Sequence, residues 1–338
     1  CHVEIHLRKR RCQLVFSHKS LMKQIEKETL EKRIQRKTKA DKIVRSLLFA
    51  LCFFSSILIF IVIFFIVLKG IKPFISTYTV SGEETRVNLI NFLFGNEWHT
   101  LEKGYGIGYI ILNTIYIALL TLLVAGPISI LSALVILRMT NKIIGTILNG
   151  AIEILGAIPS VIYGMFGLGF INNVVKNLSS LFQFQSAGGM STLSSVLVLS
   201  MMSIPTITVL SISAIKAVDP KLSSASLALG ASKSETNFKV ILPAAKNGIF
   251  AGLIMGLSRS LGEATAVSMV CGNALAGPTF NLFATTRTLT STMLTGLGEA
   301  SGLAYDIRFS VGIMLILVIL LSNGLLNLMK NKLARVSK

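Results

Sequence analysis

The sequence predicts an all-α polytopic membrane protein with six transmembrane helices. Its composition, its long uncharged stretches and the placement of its basic residues lead to this prediction. Of 338 residues, 52% are hydrophobic and only 14% are charged, whereas soluble domains carry roughly a quarter charged residues. Six stretches nearly free of charge each reach the roughly 20 apolar residues that a bilayer-spanning helix needs. The predicted spans are about 46–68, 107–136, 144–174, 192–215, 247–270 and 309–329.

The basic residues predict which ends of the spans lie in the cytoplasm. A net charge of +18 could suggest a nucleic-acid partner, but most lysines and arginines flank the apolar spans. We therefore expect a membrane protein that binds no nucleic acid. With the N-terminus inside, the inside segments carry 25 Lys and Arg and the outside segments carry 7. The positive-inside rule then places both termini in the cytoplasm of a multi-pass plasma-membrane protein.

Three regions follow from this topology. Residues 1–45 form a basic cytoplasmic segment, which we expect to lie near anionic lipid headgroups. Residues 46–330 form the transmembrane domain, and 331–338 form a cytoplasmic tail. Within the first segment, residues 1–21 look unlike the charge-rich helical pattern that begins at Met22. We expect them to be a non-native extension ahead of the natural start.

Three predicted spans contain a proline, namely Pro127, Pro159 and Pro205. Proline removes a backbone hydrogen bond from a helix interior. Membrane helices tolerate this loss where neighbouring helices or water satisfy the freed carbonyl. The prolines therefore predict either ordinary kinks for packing or a broken helix beside a pathway.

A polar inside loop at 216–247 reads as helix, turn and helix. Residues 225–229 form a short helical run, and Gly230 allows the chain to break because glycine tolerates positive φ. Residues 234–240 predict a second short helix, with Ser234 as its cap. Pro243 is expected to end that helix before the fifth span.

The fifth span carries a narrow stripe of small and ionisable residues. At about 100° per residue, Gly248, Gly252, Gly256, Arg259 and Glu263 fall on one helix face. Small residues at four-residue spacing let helix backbones approach closely. Ionisable residues inside a span usually face a bundle interior or a water-filled cavity. The stripe is therefore expected to face protein or a pathway, and not lipid.

The third span carries a similar stripe around its single acidic residue, Glu153. If the helix stays regular past Pro159, four small residues lie within about 60° of it: Gly156, Ser160, Gly164 and Gly167. We expect both stripes near a central pathway, with Gly164 as a packing residue. Glu153 itself suits either a pathway role or a capping or inter-helix hydrogen bond.

The inside loop, SSASLALGASKSETNFKVILPAAKNGI, resembles the Glu-Ala-Ala signature of ABC importer permeases. Gly230, Leu242 and Pro243 hold the signature's spacing, Ala225 matches its first alanine, and Ser224 stands where the glutamate is usual. In that family the loop docks into a groove of the ATPase subunit. The resemblance assigns this coupling role to Ser224, Ala225, Gly230, Ala231, Leu242 and Pro243.

Two further motifs resemble the phosphate-specific permeases of that family. They are GLSRSLGEATAVSMVCGN at 256–273 and EILGAIPSVIYGMFGLG at 153–169. The segment AVSMVCGN favours the PstC-type over the PstA-type permease, and the resemblance covers residues 46–329. It implies a type I ABC importer fold in the bacterial inner membrane. It also implies a second permease of the PstA type, a dimer of ATPase subunits and a phosphate-binding protein outside the membrane.

Arg259 has a chemical rationale as the phosphate contact. A guanidinium stays charged at low dielectric, and its planar donors match phosphate oxygens. Glu263, one helical turn away, would balance that charge when the anion is absent, and Glu153 is the third candidate in the pathway. The structural alternative is a buried Arg–Glu pair that only fixes helix packing.

The sequence contains no phosphate-binding P-loop and no metal-ligand or nucleophile motif. We therefore expect no catalytic residue, no metal and no cofactor in this chain, with ATP and Mg used by the partner ATPase. Three alternatives stay open. They are a permease for another oxyanion such as sulfate or molybdate, a self-sufficient channel or secondary anion transporter, and a membrane scaffold without transport.

Overall fold

The computed structural model describes residues 41–42, 44–80, 83–99 and 104–335. The predicted extension at 1–21 and nearly all of the basic N-terminal segment lie outside the described residues, as do residues 336–338. The chain divides into two compact units after Phe65. In the first unit, the described residues form the N-terminal part of helix α1 (Val44–Ile75), which is apolar and long enough to cross a membrane.

The second unit is almost entirely helical. In chain order its helices are α2 (Leu89–Phe94), α3 (Gly108–Leu134), α4 (Lys142–Ala157), α5 (Ser160–Phe166), α6 (Asn172–Leu181), α7 (Thr192–Lys216), α8 (Pro220–Ala228), α9 (Lys233–Glu235), α10 (Leu242–Gly262), α11 (Thr265–Val270), α12 (Leu289–Leu294) and α13 (Gly302–Arg335). Wider π-helical turns at Val135–Met139, Gly167–Ile171 and Thr236–Ile241 extend α3, α5 and α9. Two short antiparallel hairpins pair β1 (Tyr78–Val80) with β2 (Glu83–Thr85), and β3 (Trp98–His99) with β4 (Gly104–Tyr105).

The predicted all-α membrane fold is confirmed. Five continuous helical segments of the described chain can cross a membrane by length and composition. They are Val44–Ile75, Gly108–Met139, Thr192–Lys216, Lys233–Gly262 and Gly302–Lys330. A sixth crossing exists if α4 and the segment Ser160–Leu181 count as one span, and these are bent by 93°.

The bend shows that the third span is not regular past Pro159, the condition on which its stripe of small residues depended. Ile158 and Pro159 adopt extended backbone conformations, with ψ of 128° and 142°. The cause is local, because a proline disfavours the α conformation in the residue before it. Pro127 and Pro205, in contrast, lie inside continuous helices. Of the three prolines, Pro159 alone breaks its helix.

Helix α7 is the most deeply buried of these spans. It packs against α3, α4 and α10. Its buried positions are rich in serine and threonine, which are small enough to let neighbouring helices approach closely. The functional elements are therefore assembled around α7.

The two ends of the bundle are built differently. Arg138, at the end of the α3 segment, contacts the α8–α9 region: its Nη2 donates to Ser223 Oγ at 2.6 Å. At the opposite end, the β3–β4 hairpin joins the segment that follows α11, and Trp98 N donates to Leu275 O at 2.7 Å. Phe92, Trp98 and Tyr105 are buried there in one apolar cluster. The short helix α12 lies in the same segment.

Candidate functional site

The glycine stripe of α10 is the contact surface between α10 and α7. A Cβ added at Gly248 would lie 2.5 Å from the Cβ of Ala214, and one at Gly256 would lie 2.5 Å from Ile207. At Gly252 the nearest atom would be Leu210 Cβ at 3.1 Å. The contact is tightest at Gly248, because Ala214 has no flexible side chain that could move aside, so glycine at this position sets the distance between the two helices.

Arg259 lies one turn beyond this contact, on α10, with an exposed side chain. Its Nη1 donates to Thr206 Oγ1 of α7 at 3.4 Å, a long hydrogen bond. No carboxylate lies within the 4.0 Å of an ion pair from it among the described residues. The guanidinium is therefore held loosely by one hydroxyl and presented outward from the bundle.

Glu263 is not on the same helix as Arg259, which corrects the prediction of a continuous fifth span through residue 270. Helix α10 ends at Gly262, and Glu263 has an extended conformation with ψ of 117°. Its carboxylate accepts a hydrogen bond from Ala266 N at 3.1 Å and so caps the first turn of α11. Its own carbonyl accepts from Thr290 Oγ1 at 2.8 Å. The predicted Arg259–Glu263 pair is therefore absent from this conformation.

Glu153 and Gly164 are separated by the break at Pro159. Glu153 lies on α4 with its side chain exposed, and it accepts from Asn149 Nδ2 at 2.6 Å. Gly164 lies on α5, where an added Cβ would be 3.0 Å from Ala266 Cα of α11. The single stripe assumed for a regular helix is thus divided between two helices. Only its α5 part packs on α11.

The inside loop forms a projecting helix and a tight turn. Helix α8 has no buried residue, and Leu229, at its C-terminal end, is 89% exposed. Gly230 follows with φ of +85°, in the left-handed region that favours glycine. Ala231 N closes the turn by donating to Ser226 O at 3.2 Å. The other predicted coupling residues of α8, Ser224 and Ala225, lie on this exposed helix.

Two expectations for this loop are wrong. The cap of the second helix is Ser232, which forms a reciprocal capping box with Glu235, and not Ser234. The helix also does not end at Pro243, because residues 233–262 are continuous. The π-helical turn at Thr236–Ile241 precedes Leu242, whose N–H bonds to Asn237 O, five residues back. This wider turn accommodates the proline, which would otherwise clash with the preceding turn of an α-helix.

The loop is attached to the bundle mainly through α3 and the π-helical turn. Arg138 Nε donates to Asn237 Oδ1 at 3.1 Å, and the same guanidinium bonds Ser223. Ser226 and Thr236 share a hydrogen bond of 2.9 Å across the turn. These bonds connect α8 to α3 and to the π-helical turn that leads into α10, the helix that carries Arg259.

Comparison with known proteins identifies the family. Residues 125–335 match the family described as the inner membrane component of binding-protein-dependent transport systems. The chain belongs to this family.

The sequence is also similar to individual permease proteins. The chain is 32% identical over 242 residues to the phosphate transport system permease protein PstC of Pasteurella multocida, covering 68% of this chain and 75% of that protein. It is 32% identical over 259 residues to the ABC transporter permease protein YqgH of Bacillus subtilis, and this match covers 75% of this chain and 79% of that protein. The resemblance to phosphate permeases is thereby confirmed.

A solved structure supports the predicted type of fold. The match is a bacterial alginate ABC transporter in complex with its alginate-bound periplasmic protein, at a TM-score of 0.62 and 18% identity. It covers 87% of this chain and 96% of that one. At this identity the likeness concerns the fold alone. The family makes this chain an inner membrane component of a transport system.

Sequence reasoning missed several residues whose contacts or burial the structure shows. Thr206 is the hydrogen-bond partner of Arg259, and Arg138 connects the coupling loop to α3. Neither position stands out in the sequence, because each contact joins residues more than 50 positions apart. Arg287 and Arg308 are also buried, although they were counted only as outside charges. Their one signal in the sequence is that they are basic residues in a segment predicted to lie on the side with few such residues.

Proposed function

We propose that this chain is the transmembrane permease of an ATP-driven importer of inorganic phosphate. Its similarity to proteins named as PstC supports the choice of substrate. The observation that carries the proposal is Arg259, a guanidinium on a membrane helix that has no carboxylate partner in the described part of the chain. Such a group offers the planar, charge-assisted donors that bind phosphate oxygens.

The exposure of Arg259 indicates how the pathway is completed. A charged residue facing lipid is costly, so ionisable residues within spans face other helices or water. On the isolated chain, Arg259 and Glu153 are both exposed. We infer that a second permease, of the PstA type, covers this surface in the assembled importer, and that the anion passes between the two subunits. Arg259 would bind the phosphate, while Glu153 and Glu263 would line the pathway beside it.

Helix α8 is the proposed contact with the ATPase dimer. Its exposed surface ends in an exposed leucine, and docking would bury that apolar side chain. Because Arg138 attaches this loop to α3, and because the loop continues directly into α10, closure of the ATPases would move the helix that bears Arg259. ATP and Mg would be bound by the ATPase subunits. Phosphate would arrive from an extracytoplasmic phosphate-binding protein.

The proposed orientation follows from the same contacts. If α8 meets the ATPases, its end of the bundle faces the cytoplasm, and the β3–β4 hairpin faces outward. Both termini would then lie in the cytoplasm, in agreement with the excess of basic residues on that side.

The test is ATP-dependent uptake of radiolabelled phosphate by vesicles that contain the full complex. Arg259→Ala should abolish most of the uptake while assembly and ATPase binding persist. Arg259→Lys should retain part of it, since the charge remains but the bidentate geometry is lost. Arg45→Ala, which removes an exposed arginine at the start of α1, is the matched control and should transport normally.

Other outcomes separate the alternatives. Unchanged uptake by Arg259→Ala would make this arginine a packing residue. Wild-type uptake of sulfate or molybdate in place of phosphate would identify another oxyanion as the substrate. Uptake without ATP would indicate a self-sufficient channel or secondary transporter.

A further inference from the structure

The end of the bundle opposite to α8 contains a cavity of about 580 Å³. It lies between the β3–β4 hairpin, the segment after α11 and the start of α13. Its lining includes Trp98, Arg287, Thr295, Glu299 and Arg308. Its lining includes none of Arg259, Glu263 and Glu153, the residues of the predicted pathway.

The two arginines of this cavity are buried. Arg287 is 6% exposed and Arg308 is 7% exposed. Neither has a carboxylate within 4.0 Å among the described residues. Asp306, close to Arg308 in sequence, is engaged elsewhere: it accepts from Tyr78 and pairs with Lys69 at 3.6 Å. Buried charges are costly unless they are paired, so two neighbouring guanidinium groups with no counterion from residues that the structure describes are unusual.

Both arginines keep donors available. Arg287 Nη2 donates to Asn273 O at 3.0 Å, but its buried Nε has no hydrogen-bond partner. Arg308 donates from Nε and Nη2 to Thr295 O and from Nη1 to Ala304 O. These three bonds leave two of the five N–H donors that a guanidinium carries. The backbone therefore orients both side chains without exhausting their donors.

Two further features support a site for an anion. Gly296 has φ of +69°, and a Cβ there would lie 3.2 Å from Arg308 Nη2, so the turn leaves room for the guanidinium. Burial lowers the pKa of Arg287, and the positive charge of Arg308 acts in the same direction. A guanidinium stays protonated despite such a shift. An anion between the two groups would relieve both the desolvation and the repulsion.

We propose that Arg287 and Arg308 form a second oxyanion site, which holds phosphate at the end of the permease opposite to the coupling loop. The phosphate would occupy it before moving on to Arg259. The identity of the anion rests on the proposed function, whereas the existence of the site does not. An oxyanion suits the cavity better than an acidic side chain of a docked protein, because both arginine residues are more than nine-tenths buried.

The only tryptophan of the chain gives a direct signal. Trp98 lines this cavity and packs edge-on against Tyr105, with ring centroids 5.4 Å apart. The experiment titrates inorganic phosphate into the full chain in lipid nanodiscs and follows tryptophan fluorescence, with chloride at equal ionic strength as reference. Equilibrium binding of radiolabelled phosphate, measured in an Arg259→Gln background so that only the cavity contributes, provides an independent measurement. We expect a saturable change with phosphate and none with chloride.

Three variants test the assignment. Arg287→Gln should weaken phosphate binding about ten- to hundredfold, the usual effect of losing a charge-assisted hydrogen bond. Arg308→Lys keeps a charge near the carbonyls of Thr295 and Ala304, and should weaken binding by a smaller factor. Arg259→Gln should leave the fluorescence titration unchanged, because it lies outside the cavity.

The results that would overturn the site are equally defined. The proposal fails if wild type shows no saturable response to any oxyanion, or if Arg287→Gln binds phosphate as wild type does while remaining folded. It also fails if phosphate has no effect and Arg287→Gln instead loses association with the binding protein, which would assign the arginines to docking. A response to sulfate but not to phosphate would uphold the site and overturn phosphate as the transported anion.

Discussion

Replacing Gly248 by alanine is a direct test of the α10–α7 contact. The added methyl group would lie 2.5 Å from Ala214 Cβ and 3.3 Å from Ala214 Cα. Neither atom is the end of a flexible side chain, so the clash is relieved only if the helix backbones separate. Gly150 on α4 is the matched control, because an added Cβ there meets no atom within 4 Å.

The magnitude follows from comparing the two substitutions. Glycine to alanine in a helix interior gains about 0.8–1.0 kcal/mol of helix propensity, and this gain is common to both positions. Overpacking a well-packed contact costs about 1–3 kcal/mol. We therefore expect Gly248→Ala to be less stable than Gly150→Ala by about 1–3 kcal/mol, with Gly150→Ala at or slightly above wild-type stability.

The assay uses the thiol of Cys271, which is completely buried. In a chain whose other three cysteines are replaced by serine, a fluorogenic maleimide reacts with Cys271 only on unfolding. Titration with denaturant gives the midpoint and slope, and hence the difference in free energy of unfolding. Equal stability of the two variants would refute the argument that glycine at position 248 sets the helix separation.

Three further predictions concern the loop at 216–247 and the strand β1. Ser232→Ala removes the N-cap of α9 and should cost about 1 kcal/mol of stability in the coupling loop, measured by hydrogen exchange of residues 233–236; unchanged exchange would contradict the capping role. Leu229→Ser should leave the unfolding midpoint unchanged but weaken co-purification of the ATPase, whereas the equivalent change at the 75%-exposed Leu181 should affect neither. Burial and the hydrogen bond to Asp306 raise the pKa of Tyr78, so its stabilising contribution is complete below the ordinary tyrosine pKa of about 10 and is lost at higher pH. Tyr78→Phe should therefore reduce the fall in unfolding midpoint between about pH 8 and about pH 11; an identical fall in both proteins would exclude this linkage.

The number and approximate positions of the spans were predictable because they depend on local composition. A stretch without charge and long enough to cross the bilayer is apolar whatever it packs against. The glycine stripe of α10 was predictable for the same reason, since a regular helix fixes which residues share a face. The loop at 216–247 was recognisable because its spacing resembles a family signature. The sequence predicts Ser234 as the cap of its second helix, whereas the structure has Ser232, two residues earlier.

The sequence alone did not determine where regular helices stop. The break at Pro159 and the end of α10 at Gly262 separate residues that an ideal helix would align, and so Glu263 caps α11 and does not pair with Arg259. Nor did it indicate that Arg287 and Arg308 line one cavity, because they meet through the packing of a loop against α13. By itself, the sequence determined an all-α membrane protein whose basic residues are concentrated at one end of the spans, because hydropathy and charge act locally. Which ionisable groups meet was decided by tertiary structure alone, because that depends on breaks and contacts between distant segments.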